Sequence, residues 1–349
     1  MKARKITAFL LVAVMLVSLI PFGMISVFAT DTTQQATLTL TTADEFVAFL
    51  NNIDQYDNQR VVLASDIDMT GKTWPVIEGV SNTKAFTGTL DGQGHAINNI
   101  NITYGNHYSA PFGVVLVEGK TATFTNLTLN GTVNCGGKWQ KGGLYYAVNG
   151  DLVIDNVTNN LNVTNTNGDM AGFVASIRDT ATVVIKNSSV NGYIQGKWSG
   201  NVGGFVGTNA GKLTIDNCVM AGEVTNTLAT SDSAKSGDLG GFVVNNSTGG
   251  VLTITNSVMT GSVKHCSKDV TNASGAYVGG FMAYQSAGGT VTMENCAQMG
   301  TVQTIRTAAG TGYTGGFIGL LKADGTTTES AVLKNCSYLL WCYPAHAGV

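Results

Sequence analysis

The chain has 349 residues, with 19 basic against 22 acidic side chains, 44 glycines and only four prolines. A charge-poor, mildly acidic chain lacks the clustered Lys and Arg that nucleic acid or an anionic membrane would require of a partner. Its wealth of Gly, Thr, Asn and Val is that of a turn-rich β protein, without the net charge of a disordered one.

The N-terminus places Lys2, Arg4 and Lys5 ahead of an uncharged run from Ile6 to Thr30 that contains the small-residue site Val27-Phe28-Ala29. This pattern predicts a signal peptide, residues 1–29, cleaved after Ala29, in preference to a retained membrane anchor. Cleavage removes three of the 19 cations and leaves 16 against 22 acidic groups. No second apolar run is long enough to span a bilayer, so no membrane insertion is expected after cleavage and the product is secreted or held at the cell surface. Residues 30–56 read as an N-terminal cap. Within them TTADEFVAFLNNI, 41 to 53, predicts a short helix, with a Thr N-cap, acidic residues in the first turn and Phe46, Val47 and Leu50 on one face.

From residue 57 to 338 the chain repeats. One landmark is an aromatic residue or Leu that follows small residues: Phe112, Leu144, Phe173, Phe205, Phe242, Phe281 and Phe317. The other is an Asn that follows an apolar strand: Asn126, Asn156, Asn187, Asn217, Asn256, Asn295 and Asn335, at intervals of 30, 31, 30, 39, 39 and 40 residues. A period of this length is the signature of a solenoid. Stretches such as LTIDN alternate apolar and polar residues, as strands do, and no helix intervenes to make them βαβ units. The fold class predicted is therefore all-β, a right-handed parallel β-helix with three short strands per turn, exemplified by GGFVG, KLTID and AGEV. Two further turns, through VVLASDIDM and FTGTLDGQGHAINNINI, bring the total to about nine turns, or roughly 40 Å at one strand spacing per turn. The Asn column is expected to form a structural ladder that satisfies backbone groups at a bend. Residues 339–349 are left as a tail or cap.

The helix, SDIDMTGKTWPVI (65 to 77), FTGTLDGQGHAINNI (86 to 100) and the repeated GGFxG with IxNCxxxGxV together resemble the GLUG-motif repeat proteins. The resemblance implies a secreted or surface-anchored, adhesin-like bacterial protein of the pectate-lyase-like β-helix class. The same repeat occurs in the non-catalytic part of bacterial immunoglobulin A peptidases.

Chemistry is sparse. Asp66, Asp68, Glu78 and Asp91 form the one early acidic concentration, readable as weak calcium ligands or as the carboxylates of a polysaccharide lyase or hydrolase, with Lys72 the nearby base. Turn-forming roles explain DID and DGQG as well. His95, His107, His265 and His346 never fall in HExxH, and His95 reads as a packed strand residue. Cys296 and Cys336 fall in successive turns and read as buried free thiols; the pairing of Cys135, Cys266 and Cys342 is left open. No catalysis and no cofactor is predicted.

The segments before each Gly-Gly corner differ most between repeats, and inserts in a solenoid emerge along one side. Trp139, Trp198, Tyr277 and Tyr313 lie there and are the candidate binding residues, suited to stack on sugar rings or anchor a protein. The function expected is an adhesin-like scaffold that presents corner loops to a host or environmental glycan or a surface protein. A polysaccharide-active enzyme and an inert stalk are the alternatives.

Overall fold

The computed structural model describes residues 37–339 except 76, 78–83, 106–107, 137–140, 166–167, 198–199, 228–236, 268–275, 307–312 and 323–329. The expected signal peptide, Glu78, His107, Trp139, Trp198, Cys342 and His346 lie outside the described residues. Among those described, no helix is long and apolar enough to cross a membrane.

The described chain is an all-β coil of parallel strands. The turn that opens at Val202 shows how the later repeats are built: segment a is Val202–Gly203, b is Val206–Asn209, c is Lys212–Asp216, d is Val219–Met220 and e is Glu223–Thr227. In two earlier turns c, d and e run on as the single strands Thr121–Cys135 and Asp151–Asn165. Each segment pairs in parallel with its counterparts one turn before and one turn after; Leu213, for example, lies between Val183 and Leu252. The a segments form a sheet of six strands, the b segments one of seven, and c, d and e belong to a third. A turn thus holds five segments where three were expected. GGFVG is broken at Gly204-Phe205, and a two-residue strand separates KLTID from the segment that follows AG.

The core is stacked along the coil axis because equivalent residues occupy equivalent places in every turn. Phe205, Phe242, Phe281 and Phe317 form a column with rings 4.7 to 4.9 Å apart. Leu213, Ile215, Leu252 and Ile254 are buried beside them. Polar residues also enter the interior, their amide nitrogens bonded within and between turns. Asn209 is fully buried and donates to Asn246 Oδ1 and to the Val251 carbonyl.

At the N-terminal end, Thr42 and Glu45 form a reciprocal capping box on the helix Ala43–Asn51. Phe46, Phe49 and Leu50 are its buried face. Their rings pack on Trp74 and Phe86, so the helix seals against the first turns of the coil.

Candidate binding face

The repeated Asn residues have a backbone reason and a side-chain reason. All seven adopt φ between +50° and +56°, a left-handed conformation that Asn tolerates better than other residues with a side chain. Their amides then bond along the axis: Asn156 Nδ2 donates to Asn126 Oδ1, Asn217 to Asn187, Asn295 to Asn256 and Asn335 to Asn295. The ladder is interrupted where Asn187 donates to Asp155 Oδ1 and Asn256 to Asp216 Oδ1. Asn126 likewise donates to Asp91 Oδ1, so each run starts on a carboxylate. A second ladder escaped the sequence reading. It joins Asn98, Asn130, Asn160 and Asn191 at 2.7 to 2.8 Å, and its signal was an Asn 32, 30 and 31 residues from the next.

The early carboxylates are distributed among the turns. Asp66 accepts from the Ala96 N–H and contacts His95 Nδ1, and the first of these contacts leads in holding its carboxyl below the usual range. His95 is thus partly exposed and engaged by Asp66, whereas a packed strand position was expected. Asp68 is lowered chiefly by the Asn99 amide, with the Thr70 hydroxyl and N–H adding to it. At Asp91 burial works against ionisation, but the Gln93 N–H, Asn126 and Arg60 outweigh it and keep the carboxyl low. Lys72 pairs with Asp44, and the cation beside Asp91 is Arg60. No group of three or more His, Cys, Asp or Glu able to hold a metal occurs among the described residues.

The position after the ladder Asn is a packing column in which Ser and Cys differ in role. Ser188 Oγ accepts from the Val157 N–H, and Ser257 Oγ from the Cys218 N–H. Cys218, Cys296 and Cys336 are unbridged and turn their sulfurs onto backbone carbonyls. Burial pushes the thiols of Cys218 and Cys296 up to about 12.

Segments a and b meet at a re-entrant corner. A Cβ on Gly203 would run into the Val206 carbonyl of its own turn and lie 3.2 Å from the Val244 side chain of the next. Glycine recurs there at 142, 240, 279 and 315, with the small Ala171 in the remaining turn, because the strands approach too closely for a large side chain. The outward residues of the two sheets are therefore drawn toward each other.

Asp169, Asn201, Asp238, Tyr277 and Tyr313 stand in one column at the leading edge of the a segments. The described flanks of the variable inserts thus align. Along the column each side chain takes the backbone N–H of the following turn: Asp169 Oδ1 that of Asn201, Asn201 Oδ1 that of Asp238, and Asp238 Oδ1 that of Tyr277, all at 2.8 to 2.9 Å. Burial raises the Asp238 carboxyl to about 6, opposed by the Tyr277 N–H and assisted by the charge of Asp169. Tyr277 stacks on Tyr313 at 5.9 Å and 26°, and Tyr313 is 54% exposed.

Across the corner, Tyr284 lies 5.4 Å from the Tyr277 ring, and its phenol is raised first by burial and then by the charges of Asp238 and Asp169. Near the other end Tyr146 packs 4.6 Å from Tyr108 and accepts from Arg178 Nη2 at 3.1 Å. Its phenol is raised by burial, with Arg178 opposing and Asp169 adding. Between the two tyrosines the b segments present small side chains, Ala175, Gly207 and Val244, followed by Ser176, Thr208 and Asn245. Most of these corner residues are buried, Tyr146, Ser176 and Asn245 included, whereas Thr208 and Tyr284 are partly exposed. Of the predicted binding residues, Tyr277 and Tyr313 belong to this face. Tyr108, Tyr146, Tyr284, Asp169, Asp238 and Arg178 were missed.

Three parallel sheets wound into a coil, with a tyrosine- and aspartate-lined face at one corner, define a protein of the parallel β-helix type. The coil is similar to a crystal structure from Bacteroides ovatus named provisionally as an immunoglobulin A1 protease, with a TM-score of 0.50 over 86% of this chain and 74% of that one. The two sequences are 16% identical, so the likeness is one of fold. Over 174 residues the chain is also 27% identical to Halomucin of Haloquadratum walsbyi, a match that covers 48% of this chain and 2% of Halomucin. The chain thus spans a small fraction of that relative's length. No family model matches the chain.

Proposed function

We propose that this chain is an exported, secreted or cell-surface, adhesin-like scaffold that binds an extracellular glycan or protein along its insert-bearing edge and carries out no catalysis. In this reading the coil is a right-handed β-helix of about nine turns of GLUG type, closed at one end by the helix Ala43–Asn51. The observation that carries it is the stacked pair Tyr277 and Tyr313, of which Tyr313 stands half in solvent on the column beside the inserts. An aromatic surface kept exposed beside variable segments on a rigid frame suits recognition. The turn contacts of Asp66, Asp68 and Asp91 favour binding over a lyase or hydrolase, because each carboxylate is held by partners that fix the backbone. Similarity in fold to the Bacteroides ovatus protein fits an exported β-helix, and its protease name remains that protein's own.

The test is binding of the full chain to arrayed glycans and to extracellular-matrix proteins, repeated with the double variant Tyr277→Ala/Tyr313→Ala. A ligand whose binding weakens at least tenfold in the double variant is expected. A wild type that binds nothing is an inert stalk, and one that releases reducing or unsaturated ends from a polysaccharide is an enzyme; either result overturns the proposal.

A further inference from the structure

Asp238 carries a charge that weakens the fold rather than supporting it. Burial pushes its carboxyl up to about 6, the charge of Asp169 acts on it with like sign, and among the described residues no basic side chain pairs with it. Its carboxylate accepts from the Tyr277 N–H at 2.8 Å, a contact that Asn201 makes to the Asp238 N–H one turn earlier without any charge. The side chain is nonetheless partly exposed, and so are the rings around it: Tyr277 and Tyr284 in part, and Tyr313 by 54%. Tyr284 lies 5.4 Å from Tyr277 across the corner, and Tyr313 stacks on Tyr277 at 5.9 Å. The charge of Asp238 acts on the Tyr284 phenol, so three rings and one carboxylate make up a single accessible patch.

On the reading of the chain as a scaffold that binds along its insert-bearing edge, we propose that this patch takes an amine-bearing glycan, with a sugar lying against the tyrosines and its ammonium meeting Asp238. Tyrosine rings offer an apolar face with a polar tip, and a cation within about 6 Å of such a face is attracted to it. An ammonium bonded to a carboxylate makes a hydrogen bond roughly twice as strong as a neutral one, and partial burial strengthens it further. A neutral sugar would leave the carboxylate uncompensated. Asp169, two turns along the same column and so roughly 9 to 10 Å away, adds to the negative field and disfavours an anionic chain. A basic protein would meet the same charges, but four side chains fall well short of the about 800 Å² that a stable protein partner needs on each side. A charge kept where it lowers stability is the mark of a group retained for binding.

Isothermal titration of the full chain with glucosamine oligosaccharides, against fully N-acetylated oligosaccharides of the same length, tests this. A buffer at about pH 6.5 keeps Asp238 largely ionised while the sugar amines still carry protons. The free-amine series is expected to bind at least tenfold more tightly than the acetylated one. Asp238→Asn keeps an acceptor for the Tyr277 N–H, so it should melt no lower than wild type and yet bind the free-amine series at least tenfold more weakly. Tyr284→Ala, which removes a partly exposed ring, should weaken that binding as well. No binding of the free-amine series, equal or tighter binding of the acetylated one, or a preference that survives Asp238→Asn overturns the assignment. Binding of polylysine alone, lost in Asp238→Asn, points to a basic protein and overturns it too. If acetylated sugars bind as well as free amines and that binding is lost in Tyr277→Ala/Tyr313→Ala, the cationic assignment fails and the scaffold reading stands.

Discussion

Replacing Asn217 separates the two reasons for an Asn at the ladder position. Its φ of +50° costs an ordinary side chain about 1–2 kcal/mol relative to the right-handed region, a penalty glycine does not bear. Its amide also donates to Asn187 Oδ1 at 2.8 Å in an exposed setting, where a hydrogen bond contributes about 0.5–1 kcal/mol net. Asn217→Ala loses both contributions and should destabilise by about 2–3 kcal/mol. Asn217→Gly loses the bond and gains unfolded-state freedom, for about 1–1.5 kcal/mol. The two midpoints in guanidinium chloride, followed by far-ultraviolet circular dichroism, should therefore differ, with alanine the lower. Equal midpoints, or glycine below alanine, would refute the backbone part of the reasoning.

Three other outcomes follow from the same geometry. Asp238 holds its proton up to about 6 in the fold and to 3.8 in an ordinary setting, so the folded state binds the extra proton between those values. Stability from this site is therefore greatest below the lower value and declines as pH rises through the upper one. Asp238→Asn, which keeps an acceptor for the Tyr277 N–H, should flatten that slope and raise stability at neutral pH by up to about 3 kcal/mol; melting temperatures that follow the same pH profile as wild type would contradict it. Phe242→Ala removes a fully buried ring between Phe205 and Phe281 and should cost about 3–5 kcal/mol in chemical denaturation, with a loss below 1 kcal/mol speaking against a stacked core. Cys296, with its thiol at about 12, should resist a thiol reagent at pH 8 until the protein is denatured, as read by peptide mass spectrometry, and fast labelling in the folded state would count against its burial.

The coil was legible because its causes recur in sequence. Phe205, Phe242 and Phe281 announce a stack, and Asn at matching places announces a bend that needs a special residue. The interruptions at Asp155 and Asp216 were not legible, because a carboxylate one residue before the next Asn reaches the same donor only once turns are superposed. The break of GGFVG into two strands was hidden for a related reason. Glycine signals freedom or crowding, and only the fold shows that Gly203 faces the carbonyl of Val206. The binding face was half legible. Tyr277 and Tyr313 stood out as aromatics beside an insert, while Asp169, Asn201 and Asp238 were passed over because inserts of unequal length separate them. Their signal is a constant offset, each lying four residues before Phe173, Phe205 or Phe242, as Tyr277 and Tyr313 lie before Phe281 and Phe317. Tyr146 and Tyr284 had no such pattern, since they lie in different turns and in neighbouring registers of the b segments.

The central claim, that recognition lies along the corner between the a and b segments while the rest of the coil is frame, is tested most directly by amide chemical-shift mapping as the full chain is titrated with the tightest-binding glycan. Perturbations should run along Asn201, Asp238, Tyr277 and Tyr284, with the outward residues Thr214, Thr253 and Thr292 of the c segments unmoved. Shifts concentrated on those threonines, with the corner silent, would contradict it.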